Sequence, residues 1–135
     1  MQPSRRTVLV AAALSVTAAC RHRSSGQAVP DPDEALRAAA LERERQLLAA
    51  YQAVMTAHPA LAAQLRLLAA DKAVHVAALG SPGTATSNVR TPAELRALER
   101  SAATEHGRAA VTASRSLAPL LASLSASSSC AAAVL

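Results

Sequence analysis

The chain carries no Trp and no Phe, and Tyr51 is its one aromatic residue. Any core must therefore be assembled from Leu, Val, Ala and Met. Ala and Leu rank among the strongest helix formers. No stretch sustains the apolar/polar alternation that a half-buried strand requires. The expected class is all-α, with helices packed closely through small side chains.

The first residues, Met-Gln-Pro-Ser-Arg-Arg-Thr-Val-Leu-Val, place Arg5 and Arg6 ahead of an uncharged stretch from Thr7 to Ala19. A charged start, a short apolar middle and small residues at the exit have the form of a signal peptide. The apolar run falls short of the ~20 residues that cross a bilayer. Ser4-Arg5-Arg6-Thr7-Val8-Leu9 resembles the twin-arginine export motif, although the general secretory route accepts the same n-region. Thr17-Ala18-Ala19-Cys20 resembles a bacterial lipobox, in which Cys20 becomes the lipidated first residue. Thr17 departs from that pattern, and ordinary signal peptidase would also accept Thr-Ala-Ala. The expected organisation is a signal at 1–19, a lipidated N-terminus and tether at 20–32, and a helical domain at 33–135. The expected location is the outer face of the cytoplasmic membrane, with the lipid on Cys20 as the anchor.

The net charge of +5 invites a nucleic-acid reading. Arg5 and Arg6 belong to the signal, however, and Arg21 and Arg23 flank the proposed anchor, where basic groups meet anionic headgroups. From Asp31 onward ten basic side chains face nine acidic ones. No clustered basic reading element is present, so nucleic acid is not an expected partner. The glycines are scattered rather than gathered into a phosphate loop. No Cys/His spacing suits zinc, and the C-terminal serines lack a neighbouring base. Cys130 sits among Ser and Ala with no cation to activate a thiolate.

Four helical segments are expected. The first covers about residues 33–58, with Leu41, Glu44, Leu48, Tyr51, Met55 and His58 as its inner stripe. Pro59 breaks it and opens the second, about 59–79, whose stripe is Leu61, Leu65, Leu68, Lys72, His75 and Leu79. Gly80 ends that helix. After a loop at 81–90, Thr91-Pro92-Ala93-Glu94 forms a capping box for the third, with Leu95, Leu98, Ala102, Glu105 and Ala109 inward. The fourth covers about 117–134, with Leu117, Leu121, Leu124, Ser128, Ala131 and Leu135 in line. His58 and His106 are read as solvated, and Glu42-Arg43-Glu44-Arg45 as mainly a charged helix face.

Each stripe has a polar interruption near its middle: Glu44, His75 with Lys72 and Asp71 beside it, Glu105, and Ser128. Glu44 and His75 lie at similar distances either side of the first reversal, as do Glu105 and Ser128 about the second. The two pairs share one layer only if the second and third helices run parallel. The loop is just long enough for such a crossover. Glu44, Lys72, His75 and Glu105 supply both signs of charge, so a buried or half-buried ion-pair cluster is the favoured reading.

This pattern resembles the ferritin-like four-helix bundle with a crossover between helices 2 and 3. More narrowly, it resembles the ferritin-like domain of unknown function found in alanine-rich bacterial lipoproteins. The likeness covers about residues 33–135. It rests on the signal, the Ala/Leu/Arg texture, Ala57-His58-Pro59-Ala60-Leu61-Ala62 and Leu120-Leu121-Ala122-Ser123-Leu124. The resemblance implies metal ligands in the order Glu, Glu-x-x-His, Glu, Glu-x-x-His on successive helices. Carried over residue by residue, it leaves Glu44 and Glu105 in the single-Glu places. Asp71 and His75 stand on helix 2 at i,i+4 rather than i,i+3. Ser128 and Ala131 stand where the last motif wants Glu and His. Metal candidates are thus Glu44, Asp71, His75 and Glu105, with too few ligands for a di-iron centre.

No catalytic constellation is complete, and no cofactor is expected. The expected function is that of a non-enzymatic, tethered bundle that binds a protein partner, an envelope component or another copy of itself. The alternative is a metal-binding or redox protein with an atypical site.

Overall fold

A computed structural model describes residues 31–135, which form one unit. The signal at 1–19, Arg5, Arg6, Cys20 and the tether as far as Pro30 lie outside the described residues. Four α-helices follow in order: α1 at Glu34–Ala57, α2 at Ala62–Leu79, α3 at Pro92–Thr112 and α4 at Ala118–Val134. No strand occurs among the described residues, and the helices pack as a bundle. None of these helices is long and apolar enough to cross a membrane.

The boundaries follow local chemistry. α1 ends at Ala57 because His58 leaves helical geometry and Pro59 follows, starting a single 3₁₀ turn at Pro59–Leu61. That turn reverses the chain into α2, so the first turn expected of the second helix is 3₁₀ rather than α. Gly80 closes α2, its N–H donating to the Val76 carbonyl. The expected capping box opens α3: Thr91 Oγ1 accepts from Glu94 N at 3.2 Å, and Glu94 Oε2 accepts from Thr91 N at 3.0 Å. The same carboxylate accepts from Arg90 N, and these backbone donors hold the Glu94 carboxyl below its ordinary value.

The turn between α3 and α4 is fastened to the start of α1. Asp33 accepts from the Ser114 hydroxyl and, at 3.0 Å, from Ser114 N. These bonds also lower the Asp33 pKa. Pairwise contacts set helix directions. Asp33–Ser114, Glu44–His106 and Tyr51–Glu99 run in opposite order along α1 and α3, which are therefore antiparallel. The short reversal at Pro59 makes α1 and α2 antiparallel, with Gly80 returning to Leu41. α3 and α4 approach closely, the Ser125 hydroxyl donating to Ala103 O at 2.7 Å. A Cβ at Gly107 would stand 3.2 Å from Ser125 Oγ, so the absence of a side chain there serves the approach.

Two apolar clusters make the core. Ala50, Tyr51, Val54, Leu65, Ala69 and Leu95 form one; Ala40, Leu79, Leu117, Leu121 and Leu124 form the other. Along α1 and α2 the polar residues Glu44 and Lys72 fall between the two. The expected inner stripe of α4 holds almost throughout, with Ala132 buried beside it and Leu135 half-buried. That of α1 is turned: Leu47, Ala50 and Val54 are buried, whereas Leu48 and Met55 pack only at the margin. That of α3 is also turned. Its buried residues are Leu95, Glu99, Ala102 and His106 rather than Leu98 and Glu105.

Candidate functional site

A layer of ionisable side chains crosses the bundle between the apolar clusters. α1 gives Glu44 and Tyr51, α2 gives Lys72 and His75, α3 gives Glu99 and His106, and α4 gives Ser128. Glu44, Glu99, Tyr51 and Ser128 are fully shielded from solvent, and Lys72 is 1 % exposed.

Lys72 is the hub. Its Nζ donates to Ser128 Oγ at 3.0 Å and lies 3.1 Å from Glu99 Oε2 and 3.9 Å from Glu44 Oε2. Glu99 Oε2 has charge contact with the ammonium but no aligned hydrogen bond among the described residues. Its other oxygen accepts from the Tyr51 hydroxyl at 2.7 Å. Tyr51 therefore supplies core volume at its ring and a donor at its tip. Burial, then the negative charge of Glu99, pushes the Tyr51 pKa well above its ordinary value, so the phenol keeps its proton.

Glu44 has two imidazoles as well as the lysine. Oε2 meets His75 Nδ1 at 3.0 Å and Oε1 meets His106 Nε2 at 3.0 Å. An ionised carboxylate only accepts, so both ring nitrogens donate. Burial drives the Glu44 carboxyl upward. The bonds from His106 and His75, with the Lys72 charge, outweigh burial and hold the pKa down at about 2. Glu44 is consequently a carboxylate at neutral pH despite its complete burial.

The sequence-derived candidates separate here. Glu44 and His75 enter the layer. Asp71 stays half-exposed at its edge, 3.8 Å from His75 Nε2, and accepts from the Ser127 hydroxyl at 2.7 Å. Glu105 does not enter. Its carboxylate lies on the surface, accepting from Arg43 Nε at 2.9 Å and from Ser101 at 2.9 Å. Burial raises its pKa, but those donors bring it below the ordinary value. His106, read as solvated, is instead 2 % exposed, with its ring on Glu44. His58 is only half-buried and bonds through Nε2 to Arg90 O at 3.0 Å.

Apolar periodicity did not mark Glu99 as an inner residue. Leu98 beside it suits an apolar stripe better, and 3.5-residue periodicity fits either phase of α3. The distinguishing facts are tertiary: Tyr51 and Lys72 meet Glu99, whereas Arg43 draws Glu105 outward. One signal lay in the sequence, because Glu99 and His106 are spaced i,i+7 and so share one face.

The layer is well suited to holding charge and poorly suited to admitting a ligand. No group of three or more His, Cys, Asp or Glu side chains among the described residues has metal-binding geometry. The space between the carboxylates is taken by the Lys72 ammonium. A cavity of about 60 Å³ adjoins His106 from the surface, beneath Arg43 and Glu105. The larger depressions lie elsewhere, one of about 540 Å³ between α1 and residues 85–90.

No family model matches the chain, and no curated protein or solved structure does either.

Two outcomes follow from the layer. Lys72→Met leaves Glu44 and Glu99 buried without their cation and is expected to cost about 3–5 kcal/mol, read by urea denaturation at pH 7. The depressed Glu44 pKa binds fewer protons in the native state than in the unfolded chain. Its contribution is therefore full above the ordinary 4.5 and is lost as pH falls toward about 2. The expected loss is on the order of 3 kcal/mol. Denaturation midpoints measured between pH 6 and 2 should fall steeply in that window, and Glu44→Gln should flatten the fall.

Proposed function

We propose that this protein is a non-enzymatic, membrane-tethered bundle of ferritin-like topology, in which a lysine ammonium stands where a metal-binding relative would keep its cation. The observation that carries this reading is Lys72, held within 3.1 Å of Glu99 and 3.9 Å of Glu44 and bonded to Ser128.

Several features support the topology. α1 is antiparallel to both α2 and α3, which implies that α2 and α3 point the same way. The intervening segment has one end at Ser81, whose carbonyl accepts from Arg45, and the other at Arg90, whose carbonyl meets His58. Arg45 and His58 are separated by about 20 Å along α1, well within the reach of ten residues.

The residues of the layer support the loss of metal. Their order is Glu44, then Lys72-x-x-His75, then Glu99, then Ser128-x-x-Ala131. Set beside Glu, Glu-x-x-His, Glu, Glu-x-x-His, the first Glu-x-x-His has become Lys-x-x-His, and the last has lost both ligands. A Glu-to-Lys exchange turns a cation ligand into a cation. Its single positive charge offsets part of the negative charge of Glu44 and Glu99 and repels any metal that would displace it. Function then resides on the outer surface, as binding to a protein or envelope component, with Cys20 as the anchor and Arg5 and Arg6 in the export signal.

Metal analysis of the full chain is the test. Iron, manganese and zinc should each be well below one per chain. A stoichiometric metal that is lost in both Glu44→Ala and Glu99→Ala would overturn the reading in favour of an atypical redox or metal-binding centre. The tether has its own measurement: mass spectrometry of the mature N-terminus should find a diacylglyceryl group on Cys20. A free cysteine there, or cleavage elsewhere, removes the anchor.

A further inference from the structure

From Asp31 onward ten basic side chains balance nine acidic ones, but the fold does not spread that balance evenly. α3 has three carboxylates, and each is committed elsewhere. Glu94 closes the capping box, Glu99 is buried against Lys72, and Glu105 holds Arg43. The arginines of this helix have no such partner. Arg96, Arg100 and Arg108 on α3, and Arg115 just beyond it, make no ion pair among the described residues. Residues 1–30 contain no Asp or Glu, so the segment ahead of the bundle cannot supply one.

The phase of α3 gathers these charges on the outside. Leu95, Glu99, Ala102 and His106 turn inward, which directs Arg100, Thr104, Arg108 and Val111 outward at 3.6 residues per turn. Arg100, Arg108 and Arg115 are exposed, and Val111 is 85 % exposed. Arg96 is half-buried on the flank it shares with Ala103, whose carbonyl meets α4. α4 adds no charged side chain. The surface running from the outer face of α3 across to α4 is therefore net positive.

We propose that this arginine face of α3 docks on the anionic phospholipid surface of the membrane that holds the Cys20 anchor. Charge complementarity is the first reason. Four or more Lys or Arg clustered on a helix near a membrane attract anionic headgroups, and a guanidinium matches a phosphate through two parallel hydrogen bonds. A groove of about 370 Å³ between α3 and α4 opens beside Arg100. The Thr104 and Ser129 hydroxyls that line it donate to the Arg100 and Ser125 carbonyls, which leaves the Arg100 guanidinium to meet a phosphate there. The apolar side of α3 is spent on the bundle core, so the contact is electrostatic and weakens with salt.

Reach is the second reason, and it favours lipid over any other polyanion. Asp33 is bonded to Ser114, so the chain enters the bundle beside Arg115, at the C-terminal end of α3. The ten residues 21–30 can span at most about 35 Å. α3, with 21 residues, is about 31 Å long. A lipid on Cys20 thus allows α3 to lie along the membrane, with Arg100 and Arg108 about 12 Å apart on the helix axis. The inference rests on the proposed anchor for this choice of partner. Acylation is read by mass spectrometry, and docking by a chain that cannot be acylated, so either can fail alone.

The test is partition of the full chain carrying Cys20→Ser between buffer and vesicles, either phosphatidylcholine alone or its equal mixture with phosphatidylglycerol. The signal segment and its arginines are common to every variant, so the readout is the change in the ratio of the two partition coefficients. The unsubstituted face should prefer the anionic vesicles, and that preference should fade with added salt. Each arginine at such a surface contributes about fivefold, so Arg100→Gln/Arg108→Gln should lower the ratio roughly 25-fold. Helicity should not change, because both side chains are exposed. Arg66→Gln, exposed on α2, should leave the ratio nearly unchanged. Absence of any preference for anionic vesicles would overturn the proposal, as would a ratio unmoved by the double substitution or an equal loss per arginine in Arg66→Gln. Tighter binding to duplex DNA than to anionic vesicles at equal phosphate, lost in the same double variant, would assign the face to nucleic acid and overturn it equally.

Discussion

A single ammonium group, that of Lys72, sets the terms for the middle of this bundle. It is buried with two carboxylates, and each of the three charges would be untenable alone in an apolar interior. Their mutual attraction offsets desolvation only because hydrogen bonds complete the arrangement: Ser128 accepts from the lysine, Tyr51 donates to Glu99, and His75 and His106 donate to Glu44. All four helices contribute to these bonds. Rotating α1, α2 or α3 by a quarter turn would separate a buried charge from partners on the other helices, so the layer fixes helix phase in a way the small apolar residues around it do not.

That division of labour suits the composition. Alanine surfaces are nearly featureless and allow helices to slide or turn at little cost in buried area, at roughly 25 cal/mol per Å². Leucines concentrate in two clusters above and below the layer, where they supply apolar burial. Tyr51 belongs to both systems, its ring in one cluster and its hydroxyl in the layer. The lone aromatic of the chain is thus placed where ring and hydroxyl are both used.

The proposed function turns on the same layer. A cluster of Glu and His side chains across a four-helix bundle has the ingredients of a metal site, and what changes the chemistry is one side chain of opposite charge at its centre. Lys72 lies between Glu44 and Glu99 and offsets part of their charge, and the interior is organised around it. On the exterior, α4 carries no charged side chain, whereas α1 and α3 carry both signs.

The sequence by itself determined the four helices and most of their ends, the start of α2 excepted. Pro59, Gly80 and the Thr91–Glu94 capping box act through local sterics and neighbouring backbone groups, so their effects are legible without knowing the fold. It also determined that each stripe would be interrupted by a polar residue, and it identified Glu44, Lys72, His75 and Ser128 among them. Only the tertiary structure decided the phase of α3, bringing Glu99 and His106 inward and leaving Glu105 on the surface with Arg43. The reason is physical. Hydrophobic periodicity ranks a Leu above a Glu at any inner position, and it cannot register that a distant tyrosine, lysine and glutamate make burial of Glu99 and His106 favourable. Partners 48 and 62 residues away in the chain make that difference.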